Sequence, residues 1–442
     1  MIFSSIEFII FFILFIFLIR IFKNHQKLVV IVSSLFFYAY WNPIFIFLIL
    51  YLCSATYLLI IKKINLKFSI LIIMFPLFYF KYSFFLFKSI PLDFLNYLSY
   101  VGELPLAISF ITFTAVAILI DIRNKTFDEK LTFVNFSEFI LYFPQLIAGP
   151  ILRAKDLIPQ LRNKISFKKK NIKFGIFLFS IGFIKKIFLA DNIALLIDPI
   201  FETPELFGSR DLIKGFLLFP LQIYFDFSGY VDMALGISVF LGIDLPINFK
   251  KPYLTSSLTD FWRSWHITLS NWFRDYLYIP LGGSKVSNIR LYFNLIFTMT
   301  IAGLWHGASF NFILWGFLNG LFLALEKKFK IKNNENFLKV TLNCFIIFNL
   351  WLIFRITEIN DLINYFHIIY FNLDEIFIIE NLLIFAVTCI GIYSQKFENY
   401  DLIKKFSLRL KFSLLMPFFI ILLITGFAIS TGQSDKFIYF DF

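Results

Sequence analysis

Charge is scarce in this chain of 442 residues: 16% are Asp, Glu, Lys or Arg, against about 25% in an average soluble domain. With 59% hydrophobic residues and a mean hydropathy of +0.79, the apolar surface is more than a soluble fold of this length hides. Cysteine is scarcer. The three present, Cys53, Cys344 and Cys389, are far apart with no CxxC or Cys/His cluster, which excludes a disulfide-stapled secreted domain and offers no zinc site. Glycine-rich phosphate loops and a GxSxG elbow are also missing, so nothing supports a nucleotide hydrolase or a serine hydrolase of that type. The first apolar run has neither a basic region before it nor a small-residue cleavage site after it, and is expected to be a retained span.

What is present is a series of long apolar runs. Several exceed the roughly 20 residues that cross a bilayer as a helix, and none alternates as a transmembrane barrel strand does. The expectation is an all-α polytopic membrane protein, a single membrane domain over 1–442 with about 10–12 spans. Spans are expected near 2–21, 29–61, 68–90, 104–120, 174–197, 212–241, 291–325, 339–354, 376–394 and 413–430. Run 29–61 should be a hairpin broken at Trp41-Asn42-Pro43, because proline removes a donor and biases its predecessor to extended geometry. Run 291–325 carries no formal charge and should break near Gly303 and Gly307. The net charge of +12 sits in short loops, at Lys23 and Lys27, at Lys62, Lys63 and Lys67, and at Lys168 to Lys170. That is the positive-inside signal rather than a nucleic-acid surface. The 66 phenylalanines have no functional reading at this level.

Two stretches are not simple spans. Phe139 to Leu152 is apolar but interrupted by Pro144, Gln145, Gly149 and Pro150, which predicts a re-entrant loop covered by protein; a plain surface loop is the alternative. In Thr259 to Gly283, Trp262, Trp265, Leu269, Trp272 and Tyr276 recur at helical spacing with Arg263, Ser270, Asn271 and Arg274 between them. This predicts one amphipathic interfacial helix, starting at Asp260 and stopped by Pro280 and Gly282-Gly283.

Chemistry concentrates at few positions. His306 lies inside the long uncharged run, where an ionisable group is costly and defaults to a functional hypothesis, although a neutral histidine bridging two helices would also fit. His266 lies on the amphipathic stretch, beside Trp265. His25 lies in a basic loop and is expected to be solvated, and His367 follows a loop and has no polar company. Asp226 and Asp232, with Ser228 and Tyr230, interrupt another apolar run and need partners, either as an interhelical network or to orient a catalytic group. Arg263 and Arg274 are the downstream charges considered for them.

Four segments together carry a likeness: Leu104-Pro-Leu-Ala-Ile-Ser-Phe110; Tyr142 to Arg153; Tyr224 to Asp232 with Phe261 to Gly283; and Gly303-Leu-Trp-His-Gly-Ala-Ser309. The chain resembles the membrane-bound O-acyltransferase (MBOAT) family, in its bacterial branch that acetylates polysaccharides. The likeness covers about 30–325, is weak across the helices of 326–430, and resumes at Phe437 to Phe442 in the short tail 431–442. The resemblance implies tilted helices with re-entrant and interfacial segments around a central polar funnel, in the bacterial cytoplasmic (inner) membrane. It implies that His306 is the catalytic histidine and His266 the family's second histidine.

It also implies acyl transfer from a thioester, acetyl-CoA, with no metal, and hand-over to an extracytoplasmic acetyltransferase partner that esterifies the glycan. Trp305 and Asn311 are expected to line the funnel, and Arg263 or Arg274 to meet the donor's phosphates. Tyr439 is a candidate acyl relay, or else an aromatic interface anchor. The glycan is open between peptidoglycan, preferred on base rate, and alginate or another surface polymer. Two other classes fit buried His and Asp: a transporter or flippase using them as proton relays, against which no inverted repeat is visible, and a non-catalytic scaffold.

Overall fold

The structure, a computed structural model, describes residues 1–87, 104–147, 149–331, 336–371 and 379–430. Among these the chain is helical, without a strand. Among the described residues, four helices are long and apolar enough to cross a membrane by length and composition: Pro43–Ile61, Leu66–Ser83, Phe337–Arg355 and Phe412–Ile429. Most of the expected spans appear as helices within a few residues of their expected ends, as with Ile6–Ile21, Ser209–Phe240 and Phe412–Ile429. The hairpin in 29–61 breaks where expected, between Gln26–Ala39 and the helix from Pro43, with the Asn42 side chain accepting from Ile44 N–H.

Two of the expected runs gain detail. Run 174–197 is helical but changes register: Lys169–Phe183 is α-helical, Ile184–Ala190 forms a π turn, and Asp191–Glu202 resumes α. Run 291–325 breaks at Gly307 alone, since Gly303 stays inside the Asn288–His306 helix. Helices Ile359–Phe371 and Tyr400–Arg409 occur where no span was expected.

The chain divides into two compact units. The first comprises Met1–Gly182, Tyr230–Pro246 and Ser407–Thr431. Here the first helix spends its phenylalanines on a core. Phe8, Phe11 and Phe15, spaced to share a helix face, are buried, and their rings lie 5.2–6.4 Å from that of Phe143. Part of the phenylalanine excess is therefore structural packing, each such ring pair adding about 0.5–1.5 kcal/mol beyond burial. Phe143 belongs to the interrupted stretch, where Tyr142 to Ile147 are buried and not surface-exposed. Its irregular backbone is held by side chains: Phe143 N–H donates to Ser34 Oγ (3.2 Å) and Gln145 Nε2 donates to the Phe139 carbonyl (2.6 Å).

The described residues of the second unit lie in Phe183–Gly229 and Ile247–Phe406 and include both buried histidines. The Ser209–Phe240 helix contributes residues to each unit, up to Gly229 in the second and from Tyr230 in the first.

Candidate active site

The site starts from a helical hairpin. Asn288–His306 packs on Phe310–Lys328 at a distance set by glycine. A Cβ on Gly303 would stand 2.1 Å from the Phe312 carbonyl oxygen, one on Gly316 2.3 Å from that of Met299, and one on Gly320 2.5 Å from Ile296 Cα. Such spacing admits only hydrogen, so the two backbones touch there. His306 is the last residue of its helix. Gly307 follows in extended geometry, capped by its N–H to the Gly303 carbonyl, which turns the chain immediately beyond the imidazole.

The second histidine sits on a broken segment. The single amphipathic helix expected over Thr259 to Gly283 is instead a short helix Leu258–Trp262, a turn, a second short helix Ile267–Phe273, and a π turn Arg274–Tyr278. His266 itself makes the break, with φ 42° in the left-handed region and the residue fully buried. Capping explains the departure. Ser257 caps the first piece by accepting from Asp260 N–H (3.1 Å), and Glu326 accepts from Leu258 N–H and from Thr259 N–H and hydroxyl. Asn248 caps the second, its side-chain oxygen accepting from Thr268 N–H and hydroxyl, each at 2.9 Å. Ile267 N–H goes to the Asn248 carbonyl (3.0 Å). These two partners lie outside the stretch, so its internal periodicity could not reveal the break.

One indole joins the two histidines. The Trp305 ring centroid lies 4.9 Å from that of His306 and 6.3 Å from that of His266, at 80° and 67°. Around His306, Trp315 and Phe354 stand at 5.2 Å each, close to perpendicular. On the other side, Phe227 meets His266 at 4.7 Å and 81°. Both imidazoles are thus buried and oriented by edge-to-face contacts. Burial pushes the His266 pKa down to about 3, which keeps this ring neutral at physiological pH. Ser228 Oγ, Thr298 Oγ1, Ser309 Oγ and Asn311 Oδ1, on the elements carrying these rings or next to them, are buried without a hydrogen-bond partner among the described residues. Buried polar atoms are normally satisfied, so these take water or a bound molecule as partner.

The remaining expected residues divide. Asp226 is buried and pairs with Lys186 (2.7 Å), which also pairs with Asp191 (2.7 Å). The two arginines considered for Asp226 are engaged elsewhere: exposed Arg263 pairs with Asp260 (3.2 Å) and exposed Arg274 with Asp275 (2.6 Å). Asn311 donates to the Ile356 carbonyl through Nδ2. Tyr230 and Asp232 fall in the other compact unit, where Tyr230 stacks on Phe3 at 4.6 Å. Tyr439 lies outside the described residues. No group of three or more His, Cys, Asp or Glu among the described residues could hold a metal ion. Sequence reasoning missed Lys185, Lys186, Asp191, Trp315 and Phe354. The Lys185-Lys186 pair inside an apolar run was the available signal for the first three.

The site's motifs fall inside a broader similarity. Residues 123–360 match the profile described as MBOAT, membrane-bound O-acyltransferase family. The chain belongs to this family and is a membrane protein. It is 41% identical over 257 residues to the probable alginate O-acetylase AlgI of Pseudomonas putida, covering 57% of this chain and 52% of that protein. Its 36% identity to the AlgI protein of Pseudomonas syringae pv. tomato covers 75% of this chain and 68% of the other. The peptidoglycan O-acetyltransferase of Helicobacter pylori is 36% identical over 69% of this chain and 64% of its own length. The chain thus spans about half the length of the first of these relatives and about two thirds of the others.

Proposed function

We propose that this chain is a multi-pass O-acyltransferase of the bacterial cytoplasmic membrane. It takes an acetyl group from acetyl-CoA on the cytoplasmic side and passes it across for O-acetylation of an extracytoplasmic polysaccharide, with peptidoglycan as the acceptor. The observation that carries the reading is the pair of buried imidazoles that both contact Trp305, on motifs matched by a family of acyltransferases. The Helicobacter relative's name favours peptidoglycan, and the Pseudomonas names favour alginate as the second reading.

In this mechanism His306 accepts the proton of the attacking hydroxyl as its oxygen adds to the thioester carbonyl. The tetrahedral intermediate then collapses, breaking the C–S bond, and the imidazolium returns the proton to the leaving thiolate. Proton transfer of this kind contributes about 10²–10⁴-fold. His266, neutral, can donate one ring N–H to the developing oxyanion, which a low-dielectric surrounding strengthens. Arg263 and Arg274, exposed at the C-terminal ends of the two short helices and paired there with Asp260 and Asp275, would exchange those carboxylates for the donor's phosphates. Onward transfer proceeds through a separate extracytoplasmic acetyltransferase, with Tyr439 as the relay hydroxyl.

The test is ester-linked acetate released by mild alkali from purified peptidoglycan, in cells carrying the intact chain or His306→Ala at matched membrane levels. Loss of acetate in the variant supports enzyme, acceptor and histidine together. Unchanged acetate rejects the peptidoglycan reading or the catalytic role, and the same assay on secreted polysaccharide separates the two. Rate should also fall as pH drops through the pKa of a neutral base; a profile flat from about pH 5 to 8, spanning the ordinary histidine value, argues against His306 in that role.

A further inference from the structure

Lys186 is an expensive residue where it stands, 2% exposed and beside Lys185 in a mostly apolar run. One carboxylate would neutralise it, yet two approach equally closely, Asp191 and Asp226, each at 2.7 Å. They differ in where they come from. Asp191 is local: it follows Lys186 by five residues, and its N–H donates to the Lys186 carbonyl, closing the π turn. An i to i+5 register places its side chain over that of Lys186. Asp226 is remote, on the Ser209–Phe240 helix, and is the pair that ties two helices together.

That helix is held at adjoining positions too. Tyr224 donates to Glu398, which Lys185 pairs at 2.9 Å, and Gln222 donates to Asp198, itself paired with Arg355 at 3.2 Å. Positions 222 and 226 share a face and 224 does not, so the helix is gripped from more than one side and its rotation is blocked. The residue after Asp226 is Phe227, whose ring lies against the His266 imidazole.

We infer that Lys186 is a positioning residue for the histidine site: through Asp226 it fixes the helix turn that presents Phe227 to His266. The inference rests on the acyltransferase reading. Displacing a reacting group by about 1 Å from a remote position costs up to about a hundredfold in rate. Loss of the Lys186–Asp226 tie should therefore act on turnover and leave donor binding alone.

The experiment uses inverted membrane vesicles bearing the full chain at matched levels, with radiolabelled acetyl-CoA outside and ester-linked label as readout. Asp226→Asn should lower the maximal rate per molecule about ten- to a hundredfold, with KM for acetyl-CoA within about twofold. Asp191→Asn removes a charge from the same lysine without touching the Ser209–Phe240 helix, and should keep the maximal rate within about twofold. Lys186→Met strands the buried Asp226 and the half-buried Asp191 and is a poor probe, since it can fail to fold. Lys186→Arg keeps the charge and should retain most of the rate. Equal loss in Asp226→Asn and Asp191→Asn, a change in KM alone for Asp226→Asn, or inactive Lys186→Arg in a folded protein would overturn the inference while the enzymatic reading stands. Intact protein no faster than His306→Ala would overturn the reading itself, and the inference with it.

Discussion

Trp305 contacts both histidine rings, and replacing it separates packing from chemistry. Trp305→Ala removes two ring contacts from a buried position and should cost about 3–5 kcal/mol of stability, while Trp305→Phe keeps part of the ring surface and should cost clearly less. Thermal unfolding in detergent beside transfer rate checks this. His266 has its own signature. Its pKa is depressed to about 3 in the folded chain, against about 6.5 when unfolded. Between those values the unfolded state takes up the proton first, so the stability from this residue is complete above about pH 6.5 and is lost as pH falls towards 3. His266→Asn should make the unfolding midpoint fall less steeply on acidification from pH 6.5 to 4; an unchanged slope would argue against a buried neutral imidazole. At this scale the two histidines, Trp305 and Asp226 were legible, because each is a chemically odd residue in an apolar or aromatic setting. The Lys185-Lys186 pair was a signal, but two lysines in a row also resemble a membrane flank, and the tie of Lys186 to Asp226, forty positions away, was not legible. Trp315 and Phe354 resemble ordinary lipid-facing aromatics until the fold places them on His306.

Among the elements, periodicity found the helices and failed at caps. Leu258 to Tyr278 has the aromatic spacing of one helix, but Asn248 and Glu326 cap it as two pieces, and Trp265 is buried, not anchored at an interface. Asn248→Ala should destabilise by about 1–2 kcal/mol, the cost of losing a cap, read as a shift in unfolding midpoint. The break at Gly307 was legible from glycine beside a histidine in an over-long run. The role of Gly316 and Gly320 was not, since close approach depends on the facing helix. Gly316→Val forces a side chain into the Met299 backbone and should cost at least about 1–3 kcal/mol, more than the same change at exposed Gly208.

For the whole molecule, lipid is the solvent that the composition announced. The Phe412–Ile429 helix is only 17% buried, and Ile421 near its centre is 60% exposed. Ile421→Asp should disfavour insertion by about 2.5–3.5 kcal/mol, seen as reduced membrane-integrated protein after alkaline extraction. The lysines of residues 62–67 and of 23–27 should lie on the cytoplasmic face. Single cysteines placed there, in a chain with its three native cysteines replaced, should react with an impermeant maleimide in inverted vesicles and not in intact spheroplasts.

The left-handed backbone at His266 has one more consequence. A side chain there costs roughly 1–2 kcal/mol that glycine would not, so foldability alone favours glycine or asparagine at this position. A library of chains selected only for expression in the membrane should drift towards those two residues at 266. Selection for acetylated product should restore histidine, and the distance between the two outcomes would measure how far local stability is sacrificed for an imidazole.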